Sequence, residues 1–329
     1  PVALMVSALA GAALYCLASS FIEGNNELGL ALVMTIPMMY YLFLTEPNKW
    51  VRRGTLVVMG FSMLAVLTTH SRGAFLAMAA MVGFLWLKSR KKILTGVLLL
   101  AAVPLLLLFM PEAWFERMWS IKDYEADGSA QGRINAWLFA YNLALDHPLT
   151  GGGFGTFTKN LFMVYAPNPL DHHDAHSIYF EVLGEHGFVG LAIFLTLGTL
   201  ALLSAGHTAR MCKNVPELAW ISDLNKLVQV SLVGYAVGGA FLGLAYFDLY
   251  YHYIAIVVIT GQLARMRLKQ MEDGTWPEAP AATDSPPDEP PPRPGRRKIT
   301  PLPARPSAGG KPRIGDRFPS ATGARASRR

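Results

Sequence analysis

Long runs of apolar residues, separated by short polar segments, limit what this chain can fold into more than any other feature. A helix needs roughly 20 such residues to cross a bilayer, and several runs approach that length. We place the runs at about 2–22, 28–44, 54–69, 73–87, 93–110, 187–206, 227–247 and 249–264. Charged residues make up only 16% of the chain, against about 25% in an average soluble protein. The sequence therefore predicts an all-α, polytopic membrane helix bundle.

Two pairs of runs are separated by so few residues that each pair predicts a tight helical hairpin. The pairs are 54–69 with 73–87 and 227–247 with 249–264. We expect the tips of these hairpins to lie at or below the membrane surface.

The distribution of basic residues predicts the orientation of the bundle. Lysine and arginine concentrate in alternate connections, and the positive-inside rule makes those connections cytoplasmic. The residues are Lys49, Arg52 and Arg53; Lys88, Arg90, Lys91 and Lys92; Arg210, Lys213 and Lys226; and Arg265, Arg267 and Lys269. The opposite, periplasmic side then holds the long segment 111–186.

These features divide the chain into four regions. We expect about five spans in 1–110, a periplasmic loop with short helices in 111–186, and about three further spans in 187–264. Residues 265–329 are rich in proline and basic side chains and poor in large apolar ones, so we expect a disordered cytoplasmic tail. Because the chain begins at Pro1 inside an apolar run, we also expect further helices upstream.

Within the periplasmic loop, apolar residues recur at helical spacing over 133–146. They are Ile134, Trp137, Leu138, Tyr141 and Leu145. The glycine-rich segment 151–155 predicts a tight turn, although its backbone amides could also cradle a phosphate group. A short helix over 156–165 follows.

Arg72 lies at the tip of the first hairpin, on the side of the membrane that should be poor in basic residues. An arginine there is costly unless it is paired, and its guanidinium group suits phosphate. The alternative is an arginine that extends to the membrane surface and fixes topology. Arg133, at the predicted start of the loop helix, could also reach an anion at the membrane boundary, but surface arginines are common.

His176 lies near the predicted start of the helix that leads into the run 187–206. We expect Asp174 to cap this helix, and the positive end of the helix to favour a neutral imidazole. A neutral imidazole can accept a proton from a hydroxyl group. Ser177, Glu181 and Glu185 follow at intervals of four and form a polar stripe, which either orients the histidine or faces water.

Other motifs carry weaker signals. The segment 172–176, with three histidines and Asp174, has the residue types of a zinc site, but the spacing does not place the ligands on one helix. The aromatic segment 246–253 is typical of a membrane-interface belt. The two cysteines indicate neither a disulfide frame nor a metal site, and no pattern for nucleotide or nucleic-acid binding is present.

The order of four motifs resembles the O-antigen ligase and polymerase superfamily of bacterial inner membranes. They are Ser71-Arg72-Gly73; Gly132-Arg133-Ile134-Asn135-Ala136-Trp137; the segment 147–155; and His176-Ser177-Ile178-Tyr179 with Glu185-His186-Gly187. The sequences of these motifs look most similar to those of the O-glycosylation ligases of exosortase-type systems. Two departures are Ser177, where the family often has asparagine, and the smaller number of visible spans.

The resemblance implies a metal-independent glycosyltransferase that needs no cofactor, with an active site facing the periplasm. The donor would be a glycan linked to polyprenyl pyrophosphate, and the acceptor is not identified. By position, Arg72 and Arg133 would hold the pyrophosphate and His176 would act on the acceptor hydroxyl. Asp174, Glu181 and Glu185 would support the site. The displacement would invert the anomeric centre.

Within the superfamily, the residues that occur in the motifs favour a ligase over a polymerase. Two alternatives come from other classes. A transporter would place polar residues near the bilayer midplane on repeated halves, and no internal repeat is visible. A membrane anchor whose tail recruits cytoplasmic partners would not depend on His176.

Overall fold

Helices and turns make up the described part of the computed structural model, which covers residues 25–69, 71–89 and 128–275 together with a few positions between 92 and 100. The α-helices are α1 (Asn25–Thr45), α2 (Lys49–Thr68), α3 (Arg72–Lys88), α4 (Gly128–Asp146), α5 (Lys159–Tyr165), α6 (Ile178–Met211), α7 (Ala219–Gly239) and α8 (Asp248–Glu272). The predicted all-α fold is therefore confirmed for these residues.

Three of the described helices are long and apolar enough to cross a membrane. They contain the segments Glu27–Thr45, Lys49–Leu67 and Ile178–Met211. These correspond to the apolar runs predicted at 28–44, 54–69 and 187–206. The run at 2–22 lies outside the described residues, as does most of the run at 93–110.

The two predicted hairpins differ in the structure. A connection of a few residues, 69–71, joins α2 to α3, as expected. The second hairpin is not tight, because α7 begins at Ala219 and ends at Gly239, and the segment 240–247 leads to α8 without forming a helix. Side chains of neighbouring helices make hydrogen bonds with backbone groups of this segment. The Tyr235 hydroxyl donates to the Leu244 carbonyl at 2.8 Å. We call residues 240–247 the connecting segment.

The last helix is longer than the apolar run that predicted it. Helix α8 continues to Glu272, so residues 265–272 are helical and not part of a disordered tail. Its final turns are held by a small apolar cluster, in which Ala264 and Leu268 pack with Cys212, Leu218 and Met271. The remainder of the predicted tail lies outside the described residues.

Helix α7 is the centre of the bundle and packs against α1, α3, α6 and α8. Small residues allow this close approach. A Cβ atom at Gly238 would lie 2.6 Å from the Ala77 Cβ and 2.7 Å from the Leu30 Cδ1. Hydrogen bonds between helices add to this packing. The hydroxyls of Ser231 and Tyr253 both donate to the Met34 carbonyl, at 2.7 and 2.8 Å.

A second apolar core lies between α4 and α5. Its buried members are Ala136, Phe139, Ala140, Leu143 and Phe162. The apolar residues that predicted the helix lie on a different face, because Ile134, Leu138, Tyr141 and Leu145 are exposed. The helix also begins at Gly128, earlier than the predicted residue 133. The helix packs closely on the following loop, since a Cβ atom at Gly132 would lie 2.8 Å from the ring of His173.

Helix α6 bends at Gly187, which has φ 65° and ψ −167°. The glycine-rich turn 151–155 fits against this bend. The Gly152 amide donates to the Gly184 carbonyl at 2.8 Å, and the Gly153 amide to the Glu185 carbonyl at 2.9 Å. The predicted tight turn is therefore present, and these two amides are engaged by the helix. This contact fixes the first turns of α6 against the loop region.

Candidate functional site

A cavity of about 310 Å³ opens beside the first turns of α6. Three parts of the loop region and bundle meet there: the glycine-rich turn, the loop before α6 and the connecting segment. The lining residues are Glu27, Gly155, Phe157, Asp174, Ala175, His176, Glu181, Glu185 and Gly243. The cavity therefore gathers four of the residues predicted from sequence, namely His176, Asp174, Glu181 and Glu185.

His176 holds an unusual backbone conformation at the edge of this cavity. Its φ is 44°, in the left-handed region that residues with side chains rarely adopt. Such strain persists only where the surroundings impose it, and it concentrates at functional sites. Here the Trp137 indole donates to the carbonyl of the preceding residue, Ala175, at 2.8 Å. The loop is therefore held from the side of α4.

The ring of His176 has a defined tautomer. Its Nδ1 lies 3.1 Å from the Asp174 carbonyl oxygen. Because a carbonyl oxygen only accepts hydrogen bonds, Nδ1 carries the proton. In the neutral ring Nε2 then keeps its lone pair, and this nitrogen can accept a proton.

The predicted cap of the helix is wrong. Helix α6 begins at Ile178, and its N-cap residue is Ser177, whose side chain makes no capping hydrogen bond. Asp174 instead lies in the preceding loop and lines the cavity. The loop has its own contacts with α4, since the Asn135 amide donates to the carbonyls of Asn168 and Asp171, a few residues before Asp174.

Glu181 and Glu185 hold two walls of the cavity. The Glu181 carboxylate accepts a hydrogen bond from the Ala245 amide at 3.1 Å. The Glu185 carboxylate accepts one from the Gly155 amide at 2.7 Å and another from the Tyr246 hydroxyl. Glu185 is only 6% exposed. The polar stripe therefore faces the cavity and its walls more than it faces water.

Tyr246 joins the connecting segment to this network. Partial burial, together with the hydrogen bond to Glu185, raises the pKa of its hydroxyl, which therefore stays protonated and donates. The same oxygen lies 3.0 Å from the His186 Nε2. The ring of Phe154, from the glycine-rich turn, contacts both Tyr246 and His186 edge-on. Three segments are thus joined on this side of the cavity.

Arg133 is placed next to the histidine loop by its helix. Its neighbour Gly132 touches the ring of His173, and Trp137, one turn later, donates to Ala175. The Trp137 ring also stacks on Phe180 of α6, with 4.9 Å between centroids. The turn of α4 that carries Arg133 therefore packs beside the residues just before His176.

The helix start that carries Arg72 packs against the connecting segment. Arg72 is the first residue of α3, and a Cβ atom at its neighbour Gly73 would lie 3.2 Å from the Phe241 Cβ. Two residues further along the connecting segment, a Cβ atom at Gly243 would lie 3.8 Å from the His176 Cα. The start of α3 and the histidine therefore contact the same short segment.

Neither arginine is among the described residues that line the cavity. Carboxylates dominate its lining, so the cavity itself is unsuited to a pyrophosphate group. The elements that carry Arg72 and Arg133 flank it instead.

The histidines of the segment 172–176 have separate partners. His172 Nε2 donates to the Phe157 carbonyl at 2.9 Å, and His173 Nδ1 lies 2.9 Å from the Asp171 carboxylate. No group of three or more His, Cys, Asp or Glu within the described ranges is arranged to hold a metal ion. The zinc arrangement that the residue types suggested is not formed by these residues.

Sequence reasoning missed several residues of the site. Glu27, Phe157 and Gly243 line the cavity, and Tyr246 supports it. Tyr246 belongs to the aromatic segment that predicted a membrane-interface belt. Its role depends on a contact with Glu185, 61 positions away. No local signal could have revealed that pairing.

Comparison with known proteins finds a family model that matches part of the chain. Residues 55–195 match the family model described as O-Antigen ligase. The match includes Arg72, Arg133 and His176 and ends before the connecting segment. A search of curated proteins finds no match.

Proposed function

We propose that this chain, a member of the O-antigen ligase and polymerase superfamily through residues 55–195, transfers a glycan from a polyprenyl-pyrophosphate carrier to an acceptor hydroxyl group. The observation that carries the proposal is the arrangement of His176. Its Nδ1 proton is directed to a backbone carbonyl, no residue in the described part of the chain makes a hydrogen bond to its Nε2, and it lines a cavity rich in carboxylates.

In the proposed reaction His176 is the general base. The acceptor hydroxyl attacks the anomeric carbon of the donor sugar and gives its proton to Nε2 of His176. The bond between that carbon and the pyrophosphate oxygen breaks, and its electron pair leaves with the polyprenyl pyrophosphate. Attack from the face opposite the leaving group inverts the anomeric centre.

The acidic cavity suits the acceptor side of this reaction. Carboxylate oxygens accept hydrogen bonds from sugar hydroxyls, and Glu27, Asp174 and Glu181 supply them around His176. The same carboxylates would repel a pyrophosphate. We therefore place the acceptor in the cavity and the donor pyrophosphate at its edge.

Arg72 and Arg133 are proposed to bind that pyrophosphate. A guanidinium group can donate two parallel hydrogen bonds to phosphate oxygens. Its positive charge stabilises the negative charge that develops on the leaving group. Arg72 is also the first residue of α3, where the helix carries partial positive charge. The proposal requires the two side chains to reach the edge of the cavity from α3 and α4, whose neighbouring residues contact the connecting segment and the histidine loop.

The finer assignments belong to the same proposal. We place the site at the periplasmic face of the bacterial inner membrane, because the basic ends of α6 and α8 lie at the far end of the bundle from His176. The sequences of the motifs lead us to favour a ligase, of the kind found in exosortase-type systems, over a polymerase.

The test is a transfer reaction with purified protein in liposomes, given a polyprenyl-pyrophosphate glycan and candidate acceptors. Mass spectrometry of the products distinguishes the possibilities. A ligase adds one donor glycan to the acceptor, whereas a polymerase produces a ladder of increments. Disappearance of the donor from one side of the membrane without any new product would contradict the proposal and favour a transporter.

A matched pair of variants tests the histidine. We expect His176→Gln to abolish transfer. His252→Gln removes a ring with the same kind of Nδ1 contact, 2.7 Å from the Asp248 carbonyl, but one that does not line the cavity, and should be active. Full activity of His176→Gln would exclude the base assignment.

A further inference from the structure

A second cavity, of about 290 Å³, lies between α6 and α8. It is at the opposite end of α6 from His176. Twenty residues separate the bend at Gly187 from His207 of this cavity, and a helix of that length spans about 30 Å, the thickness of the hydrocarbon core. If Gly187 lies at one membrane surface, His207 lies at the other.

The groove has a polar end. His207 and Arg265 line it from α6 and α8, respectively, and Ser204 and Thr208 add hydroxyl groups. Gly261 leaves space between them. The point where its Cβ atom would be lies 3.3 Å from the Thr208 Oγ1 and 3.9 Å from an Arg265 guanidinium nitrogen. A hydroxyl group and a guanidinium group therefore border one small opening, and such a pair can bind a phosphate.

The other part of the groove is apolar and open. Leu203 and Val258 line it and are 63% and 56% exposed. Val257 forms its floor and is buried. Exposed branched side chains on a membrane helix offer a surface for an acyl chain. The groove thus combines a site for a phosphate with an adjoining site for hydrocarbon.

The surroundings of the groove are basic. Arg210 follows it near the end of α6 and Lys213 just after that helix, and Arg267 and Lys269 follow it on α8. Basic sites between membrane helices at this position attract the head groups of anionic lipids. Free phosphate would use the polar end alone and would leave the apolar part uncovered.

We propose that this groove binds an anionic phospholipid. The lipid phosphate contacts Arg265 and His207 beside Gly261, and an acyl chain lies along Leu203 and Val258. The site is separate from the transfer reaction and does not depend on it.

Native mass spectrometry of the full chain tests the proposal. The protein is exchanged from detergent into nanodiscs or micelles that contain phosphatidylglycerol or phosphatidylcholine, and retained lipid is counted. We expect one phosphatidylglycerol per chain. Arg265→Gln should reduce its retention about fivefold, as expected for one basic contact at a membrane surface. Gly261→Leu, which fills the opening, should also reduce it.

Lys269→Gln provides the matched control, because it removes an equally exposed positive charge from the same helix outside the groove. Because Lys269 contributes only to the basic surroundings, this variant should reduce lipid retention clearly less than Arg265→Gln does. Equal retention in Arg265→Gln and the unchanged protein would overturn the proposal. So would displacement of the lipid by millimolar inorganic phosphate, or equal retention of phosphatidylcholine. Arg265 is exposed, so its variant should fold even if Gly261→Leu does not.

Discussion

Glu181 accepts a hydrogen bond from the backbone amide of Ala245, at 3.1 Å, and so joins the first turn of α6 to the connecting segment. The same carboxylate lies 3.6 Å from the point where a Cβ atom at Gly243 would be. One side chain therefore lines the cavity and also holds the connecting segment beside His176. In the proposed reaction it would have both a structural role and a role in acceptor binding.

Removing this carboxylate should destabilise the protein. Ala245 is fully buried, and its amide would lose its partner in Glu181→Ala, at a cost of about 1–3 kcal/mol. Glu181→Gln keeps an acceptor oxygen and should cost less. Thermal unfolding in detergent measures both.

Glu46→Ala is the control for this change. The Glu46 carboxylate also accepts a backbone hydrogen bond at 3.1 Å, from Asn48, but in an exposed position. We expect a change within about 0.5 kcal/mol, because surface substitutions rarely exceed that value. A cost for Glu181→Ala no greater than for Glu46→Ala would show that the contact to Ala245 does not hold the segment.

Glu185 and Tyr246 should be energetically coupled. A buried carboxylate that accepts from a tyrosine hydroxyl loses a partner in Tyr246→Phe, and Glu185→Gln weakens the same bond from the other side. The double variant should therefore cost less than the sum, by about 0.5–3 kcal/mol. Chemical denaturation of the four proteins gives this difference. Strict additivity would mean that the two side chains do not interact.

The sequence predicts the bundle well where hydropathy alone determines it. The runs at 28–44 and 54–69 correspond closely to α1 and α2 because lipid-facing helices must be apolar along their length. The end of α7 could not be predicted in this way. The connecting segment is as apolar as a helix, and in its non-helical conformation Tyr235 and Glu181 provide partners for its backbone.

The candidate site was predictable where its residues are close in sequence. Asp174, His176, Glu181 and Glu185 fall within one short stretch, and the structure places them around one cavity. The capping role of Asp174 was wrong because contacts from α4, distant in sequence, decide where α6 begins. The convergence of Arg72 and Arg133 on His176 stays a prediction, supported by the elements that flank the cavity.

Gly187 should tolerate no side chain. Its φ of 65° is strained for any other residue, and a Cβ atom would lie 2.5 Å from the Pro148 carbonyl oxygen. Gly153 has φ 86° but open space around it. Gly153→Ala therefore measures strain alone, about 1–2 kcal/mol, and Gly187→Ala should cost clearly more. Equal melting temperatures for the two variants would contradict the close contact between the bend and Pro148.

The arginines should not be replaceable by lysine. A lysine keeps the charge but cannot form two parallel hydrogen bonds to a pyrophosphate. We expect Arg72→Lys and Arg133→Lys to reduce kcat/KM for the donor by about tenfold or more, which corresponds to about 1.4 kcal/mol of transition-state stabilisation. Arg53→Lys, at an exposed arginine that lies over the Trp50 ring, is the control. Unchanged kinetics in both site variants would remove the arginines from the mechanism.

His176→Gly separates catalysis from folding. Glycine adopts a φ near 44° without strain, so the variant should be as stable as the unchanged protein or more stable, by up to about 1 kcal/mol. It should nevertheless lose transfer activity, because the imidazole proposed to take the proton from the acceptor hydroxyl is gone. His176→Val, a branched residue in the same conformation, should be less stable and also inactive. Melting temperatures and transfer rates of the two variants test this directly. A stable His176→Gly protein that still transferred glycan would show that the strained histidine serves neither the reaction nor the fold.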